Sequence, residues 1–203
     1  KIDEITSETP SEEDDEDENT NASSIVVKLN GGGGSCMITG DKTITEIGEI
    51  IGKYQNADKL KYLKSDVFLA THHGSENDFS PNWMKHVNPS YLIVSSGTSS
   101  FFHPRQNAVC SQDVLDNLDK SVPTQPWHPI RAYGNLSALF STPRSIPIAS
   151  GSKENFRSTP YSYSMTDHGI YLTADQGTIK FSFNAGKIYV APTNQKGDVN
   201  FDA

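Results

Sequence analysis

The sequence predicts an α/β fold, a mixed β-sheet with flanking helices, on three observations. Short β-branched apolar runs alternate with segments of helical apolar spacing between residues 23 and 118, a glycine-rich turn joins the first two runs, and strand-like alternation resumes from Tyr163. In such a pattern a site is expected in the loops at strand ends, which the strands hold in place.

With 203 residues the chain is long enough for one domain with a real core. Its formal net charge of −8 is unevenly placed: residues 1–22 set Lys1 against ten acids, a net of −9, while the other 181 residues carry 16 basic and 15 acidic side chains. The acidity belongs to a tail, and the near-neutral body neither demands nor excludes a nucleic-acid substrate. Residues 1–22, rich in acids, serine and threonine, are expected to be an acidic disordered linker, because they cannot bury enough apolar surface to offset the entropy of ordering. Cys36 and Cys110 are the only cysteines and form no CxxC framework, which fits a reducing compartment, although one pair can still close a disulfide. No apolar run approaches the roughly 20 residues that span a bilayer, and no signal peptide is legible. A cytoplasmic protein with no membrane association is the expectation.

Residues 23–120 carry the α/β pattern. Ser23–Leu29 reads as a strand, Gly31–Gly34 as a turn, and Cys36–Thr39 as the returning strand that delivers Asp41. No Gly-Lys-Ser/Thr follows the glycines and no helix opens on them, so a turn is favoured over a phosphate-cradling loop. Thr43–Tyr54 places Ile44, Ile47, Ile51 and Tyr54 at helical spacing. Val67–Ala70 is a buried strand ending in the loop Thr71–Ser75. Ser80-Pro81 starts a short helix with Trp83, Met84 and Val87 on its apolar face. Tyr91–Ser95 is another buried strand, and Pro104 opens a helix to about Leu118 with Val109, Val114, Leu115 and Leu118 facing inward. Residues 121–162 form a Pro-rich irregular insertion. Residues 163–203 read as a terminal meander, with Gly169–Ala174, a turn at Asp175-Gln176-Gly177, Thr178–Phe183 with Ile179, Phe181 and Phe183 on one face, and Lys187–Ala191.

Three strand ends carry ligand types that bind zinc or manganese: Asp41, the adjacent His72 and His73, and His103. Asp41 has an equal second reading as the cap of the following helix. The alternative for His72-His73 is a polar surface loop, and for His103 an exposed histidine before a proline. His86, on a short helix, reads as exposed or hydrogen-bonded rather than as a ligand.

Together, Asn21-Ala22-Ser23-Ser24-Ile25-Val26-Val27, Ile38-Thr39-Gly40-Asp41, the stretch Asp66–Ser75, Asn88–Gly97, His103-Pro104 and Asp175–Ile179 resemble the metallo-β-lactamase superfamily, most closely the branch found in ComEC-like DNA-uptake competence proteins. The resemblance spans residues 21–118 and 163–191. It implies an αββα sandwich with a metal centre at one edge, hydrolysing phosphodiester or other ester bonds with two zinc ions, manganese being the alternative. It assigns Asp41, His72 and His73 as metal ligands, His72, His73 and His103 as catalytic, Thr71 and Ser75 as partners orienting the imidazoles, and Arg105 as the substrate contact. Members also carry a His-x-(His or Asp)-x-Asp-His signature upstream of this region, whereas all six histidines here lie at 72, 73, 86, 103, 128 and 168, and the family's Tyr-Gly-His-Pro stands as Phe101-Phe102-His103-Pro104. The implied unit is therefore the C-terminal half of the sandwich, with the other ligands on an N-terminal half supplied by another or a cleaved chain. Half a sandwich exposes a large apolar face and needs its partner. The alternatives are a catalytically inactive regulatory or interaction subunit and a module that binds a single metal.

Overall fold

The computed structural model describes residues 2–5, 20–76, 78–96, 104, 106–109, 111–118, 125, 128–133 and 161–192. In chain order the elements are β1 (Ile2–Ile5), β2 (Val26–Gly31), β3 (Gly34–Ile38), α1 (Ile44–Asn56), β4 (Val67–Leu69), α2 (Pro81–Val87), β5 (Tyr91–Val94), α3 (Gln106–Val109) and α4 (Gln112–Asp116). There follow β6 (His128–Tyr133), β7 (Tyr161–Thr166), β8 (Ile170–Leu172), α5 (Thr173–Gln176), β9 (Ile179–Asn184) and β10 (Lys187–Pro192). The main sheet has the order β1-β2-β3-β4-β5-β8, antiparallel from β1 to β3 and parallel from β3 to β8, so the fold is α/β with a mixed sheet. Among the described residues no helix is long and apolar enough to cross a membrane.

Alternation along the strands gives the sheet two apolar faces. Val26, Met37, Phe68, Leu92, Val94, Ile170 and Leu172 meet the helices on one side, where Ile47, Ile50, Trp83, Met84, Val109 and Val114 complete the larger core. On the other side Val67, Tyr91, Ile93 and Tyr171 are covered by Ile179, Phe181, Phe183, Ile188 and Val190 of β9 and β10. The apolar face expected of half a sandwich is thus covered over β4, β5 and β8 by the chain's own hairpin. Nearer the sheet's β1 edge, Leu29 on β2 remains 37% exposed.

The β2–β3 turn explains the glycine run. Gly32 and Gly33 have φ of +60° and +83°, the double positive φ of a two-residue hairpin whose twist matches its strands. The turn is also a docking surface: a Cβ on Gly33 would lie 2.6 Å from Gly186 N, and one on Gly34 would lie 2.0 Å from the Phe183 ring. Asp66 closes the same end of the sheet. Its Oδ2 accepts from Ser35 N–H (2.8 Å) and the Ser35 hydroxyl (2.7 Å), and its carbonyl accepts from the N–H groups of Ser90 (2.9 Å) and Tyr91 (3.0 Å). One residue thereby ties together the starts of three neighbouring strands.

Four expectations need correction. Within the segment read as a disordered linker, Ile2–Ile5 forms β1, paired with Val26–Leu29; two isoleucines flanking Asp3 and Glu4 are enough for an edge strand when a template strand is present, and residues 1 and 6–19 lie outside the described residues. The single helix from Pro104 to Leu118 is two, because Ser111 leaves the helical conformation and its Oγ accepts from Val114 N–H (3.3 Å) as the cap of α4. Within the insertion read as irregular, His128–Tyr133 pairs antiparallel with Tyr161–Thr166 and sends Ile130 and Ala132 into the larger core. The terminal segment is not a meander closing the sheet: β8 enters beside β5 in parallel, α5 replaces the end of the Gly169–Ala174 strand, and β9 and β10 form a separate sheet.

Candidate functional site

The three central strands β3, β4 and β5 run parallel, so their C-terminal ends open on one edge, where the loops Thr39–Lys42, Thr71–Ser75 and Ser95-Ser96 meet. Thr39 and Thr71 knit the first two loops together: their hydroxyls lie 3.0 Å apart, and Thr39 also donates to the Leu69 carbonyl (3.2 Å). The Gly40 carbonyl accepts from His72 N–H at 3.1 Å.

Asp41 is not the cap of α1. That position is Thr43, with φ −78° and ψ 164°, and its hydroxyl contacts the Glu46 carboxylate. Asp41 is held from behind, its N–H donating to Ser24 Oγ at 3.2 Å. The adjacent Lys42 turns inward, is 3% exposed and donates to the Ala22 carbonyl; burial pushes its pKa down, against the pull of Glu46 and Glu49. The Asp41 carboxylate is left facing the loop that carries the histidines.

That loop is a tight turn in which His72 (φ 45°, ψ 50°) and His73 (φ 53°, ψ 23°) are both left-handed. Each costs about 1–2 kcal/mol for a residue with a Cβ, and two in succession persist only where surrounding contacts over-determine them. Those contacts are visible. Ser75 N–H donates to the His72 carbonyl (2.9 Å), and Gly74 (φ +77°) admits Val109 and Pro104, whose side chains would lie 2.6 and 3.0 Å from a Cβ there. Glycine at 74 is therefore called for by the backbone and its packing, whereas the two histidines are held in a conformation the backbone does not favour.

Each imidazole uses Nδ1 on a protein acceptor. His73 Nδ1 lies 2.7 Å from the Ser95 carbonyl, and His72 Nδ1 lies 2.5 Å from Asp78 Oδ2. A carbonyl only accepts, so Nδ1 of His73 donates, and in the neutral ring Nε2 is the nitrogen with the lone pair. That Nε2 is 3.7 Å from Asp41 Oδ1. Two donors of one tetrahedral zinc, each about 2.0–2.1 Å from it, stand about 3.3 Å apart, so this pair is within a few tenths of an ångström of sharing a cation.

The structure thus brings Asp41, His72 and His73 to one edge, as the sequence indicated. The Thr71 hydroxyl engages Thr39, so it shapes the loop backbone, and Ser75 is buried beside it with its backbone closing the turn. Asp78 and Ser95 hold the rings. Sequence reasoning missed both: a backbone carbonyl leaves no trace in side-chain identity, and Asp78 lies beyond the motif's final serine. His103 and Arg105 lie outside the described residues, although Pro104, between them in sequence, packs against Gly74. Among the described residues no group of three or more His, Cys, Asp or Glu is placed to hold a metal ion. No protein-family model matches the chain, and neither does any curated protein.

Proposed function

We propose that this chain is the C-terminal portion of a metal-dependent hydrolase of the metallo-β-lactamase type, a phosphodiesterase or nuclease, completed by an N-terminal half on another or a cleaved chain. The observation that carries this reading is the approach of His73 Nε2 to Asp41 Oδ1 at 3.7 Å, between the ends of two parallel strands. Asp41 and His73 would hold a divalent cation, zinc or manganese, with the remaining ligands supplied from outside the described residues. Such a cation supplies a Lewis acid for the phosphoryl oxygen and lowers the pKa of water to near neutrality. The chain's own part is preorganisation. Ser95 fixes the tautomer of His73, Ser24 and Gly40 fix the Asp41 loop, and the strained turn holds both imidazoles before substrate arrives.

Co-purification of the complex followed by metal analysis tests this. A content of about two metals per complex that falls on Asp41→Ala and on His73→Ala is expected. A metal-free complex with intact assembly would sink the hydrolase and leave a regulatory or interaction subunit built on the same scaffold.

A further inference from the structure

Between the last turn of α1 and the start of β4, residues 53–64 hold four lysines against one acid, Asp58, in a chain of net charge −8. The fold turns that stretch into a surface. Leu63 is fully buried and Leu60 packs against the larger core, which leaves Lys59, Lys61, Tyr62 and Lys64 exposed around them. Backbone bonds fix the turn: Lys59 N–H donates to the Tyr54 carbonyl (2.7 Å), Tyr62 N–H to that of Lys59 (2.9 Å) and Leu63 N–H to that of Leu60 (3.0 Å). Lys28 braces it from β2, its Nζ donating to the carbonyls of Tyr62 (2.9 Å) and Lys64 (2.5 Å). Among the described residues no carboxylate forms an ion pair with Lys53, Lys59, Lys61 or Lys64. Tyr62 is 55% exposed, and Lys61 Nζ stands 5.5 Å from the centre of its ring.

We propose that the surface formed by Lys53, Lys59, Lys61, Tyr62 and Lys64 binds single-stranded nucleic acid, the ammonium groups taking backbone phosphates and the Tyr62 ring a base. Lysines without carboxylate partners meet phosphates without first breaking ion pairs, and each contact releases counterions condensed on the strand. An exposed aromatic ring among cations is a platform on which any base can stack. The ring separates nucleic acid from an acidic peptide, which matches the charge and offers no flat face, and a duplex keeps its bases stacked on one another. Complementing the carbonyl end of α1 accounts for Lys53, but not for the three lysines of the turn or for the exposed tyrosine. The turn precedes β4 and the loop Thr71–Ser75 follows it, so this surface lies at the opposite end of that strand from Asp41 and His73. It goes beyond the hydrolase reading and does not rest on it.

The experiment is fluorescence anisotropy of a labelled oligo-dT of about 12 nucleotides against the full chain, in EDTA so that no metal-dependent cleavage is read. Binding is expected to weaken with salt, log K falling on log[salt] with a slope of roughly −2 to −3 for three or four phosphate contacts. The triple variant Lys59→Gln, Lys61→Gln, Lys64→Gln is expected to bind about tenfold more weakly or worse, with a slope near about −0.7. Tyr62→Ala is expected to weaken binding about tenfold and leave the slope unchanged. Should the triple variant lose the wild-type far-UV CD spectrum, Lys61→Gln alone is expected to make the slope shallower by about 0.7. Absence of binding, or binding indifferent to these substitutions, overturns the proposal. So does displacement by polyglutamate with no effect of Tyr62→Ala, or tighter binding to a duplex of the same length or to anionic vesicles. Oligonucleotide binding by a complex that purifies without metal would sink the hydrolase and leave this surface standing, whereas a metal-loaded complex whose chain binds no oligonucleotide would do the reverse.

Discussion

His73 Nε2 lies 3.7 Å from Asp41 Oδ1, joining the loops after β3 and β4 across the parallel edge of the sheet. Both side chains are open to solvent, 48% and 40% exposed, so neither contributes to the core. Asp41→Ala is expected to change stability by less than about 0.5 kcal/mol, and His73→Ala, which also loses the hydrogen bond to the Ser95 carbonyl, by about 0.5–1.5 kcal/mol, while each removes metal from the complex. Urea unfolding and metal analysis on the same preparations check this. A large loss of stability with metal content unchanged would mark the pair as structural.

Asp66 is expected to matter for folding more than for chemistry. Asp66→Ala removes the acceptor for both Ser35 donors and should cost about 1.5–3 kcal/mol, the range for hydrogen bonds to a charged group. Asp66→Asn keeps one carbonyl oxygen and should cost less. The measurement is the urea midpoint at constant m-value; equal costs for the two variants would contradict the clamp.

The glycine turn gives a paired test. Gly33→Ala meets both a positive φ and the Gly186 backbone at 2.6 Å, whereas Gly186→Ala meets a positive φ in open space. The second should cost about 1–2 kcal/mol, and the first distinctly more, because the hairpin of β9 and β10 must shift off the sheet. Thermal unfolding of the two variants decides it, and similar losses would show that the hairpin does not dock tightly.

Tyr171 makes a prediction about alkaline pH. Its hydroxyl donates to Gln125 Oε1 at 3.0 Å; burial, with Tyr91 beside it, pushes its pKa far above the usual value of 10. The folded state thus favours the neutral phenol. The stabilisation is fully present below about pH 10 and is lost as pH rises from there, because the unfolded chain ionises first. Tyr171→Phe should flatten the fall of the unfolding midpoint between about pH 10 and 11; an unchanged slope would refute the assignment.

How much was legible depended on whether the signal was local. Alternation in Ile179–Phe183, the Ser80-Pro81 helix start and the Gly32-Gly33 turn are written in neighbouring residues, and each element formed where its pattern stands. The break between α3 and α4 is also local, but a single serine cap was outweighed by the helical spacing around it. The Asp41–His73 approach was anticipated only as convergence of strand ends, because alternation fixes the face of a residue and not its neighbour. His128 shows the limit: it lies in a Pro-rich stretch without periodicity, yet its ring stacks on Tyr171 with centroids 4.3 Å apart, and its Nε2 lies 2.7 Å from the Ile170 carbonyl.

The sequence by itself determined the α/β character and the strands that end on Asp41 and on His72-His73, because backbone propensity and alternation act within a few residues. Tertiary structure alone decided that β8 lies parallel to β5, that β9 and β10 cover the sheet's second face, and that Asp78 and the Ser95 carbonyl hold the rings. Those outcomes are set by which surfaces bury each other and which donors find acceptors across the fold, and such pairings have no signature at any fixed spacing along the chain.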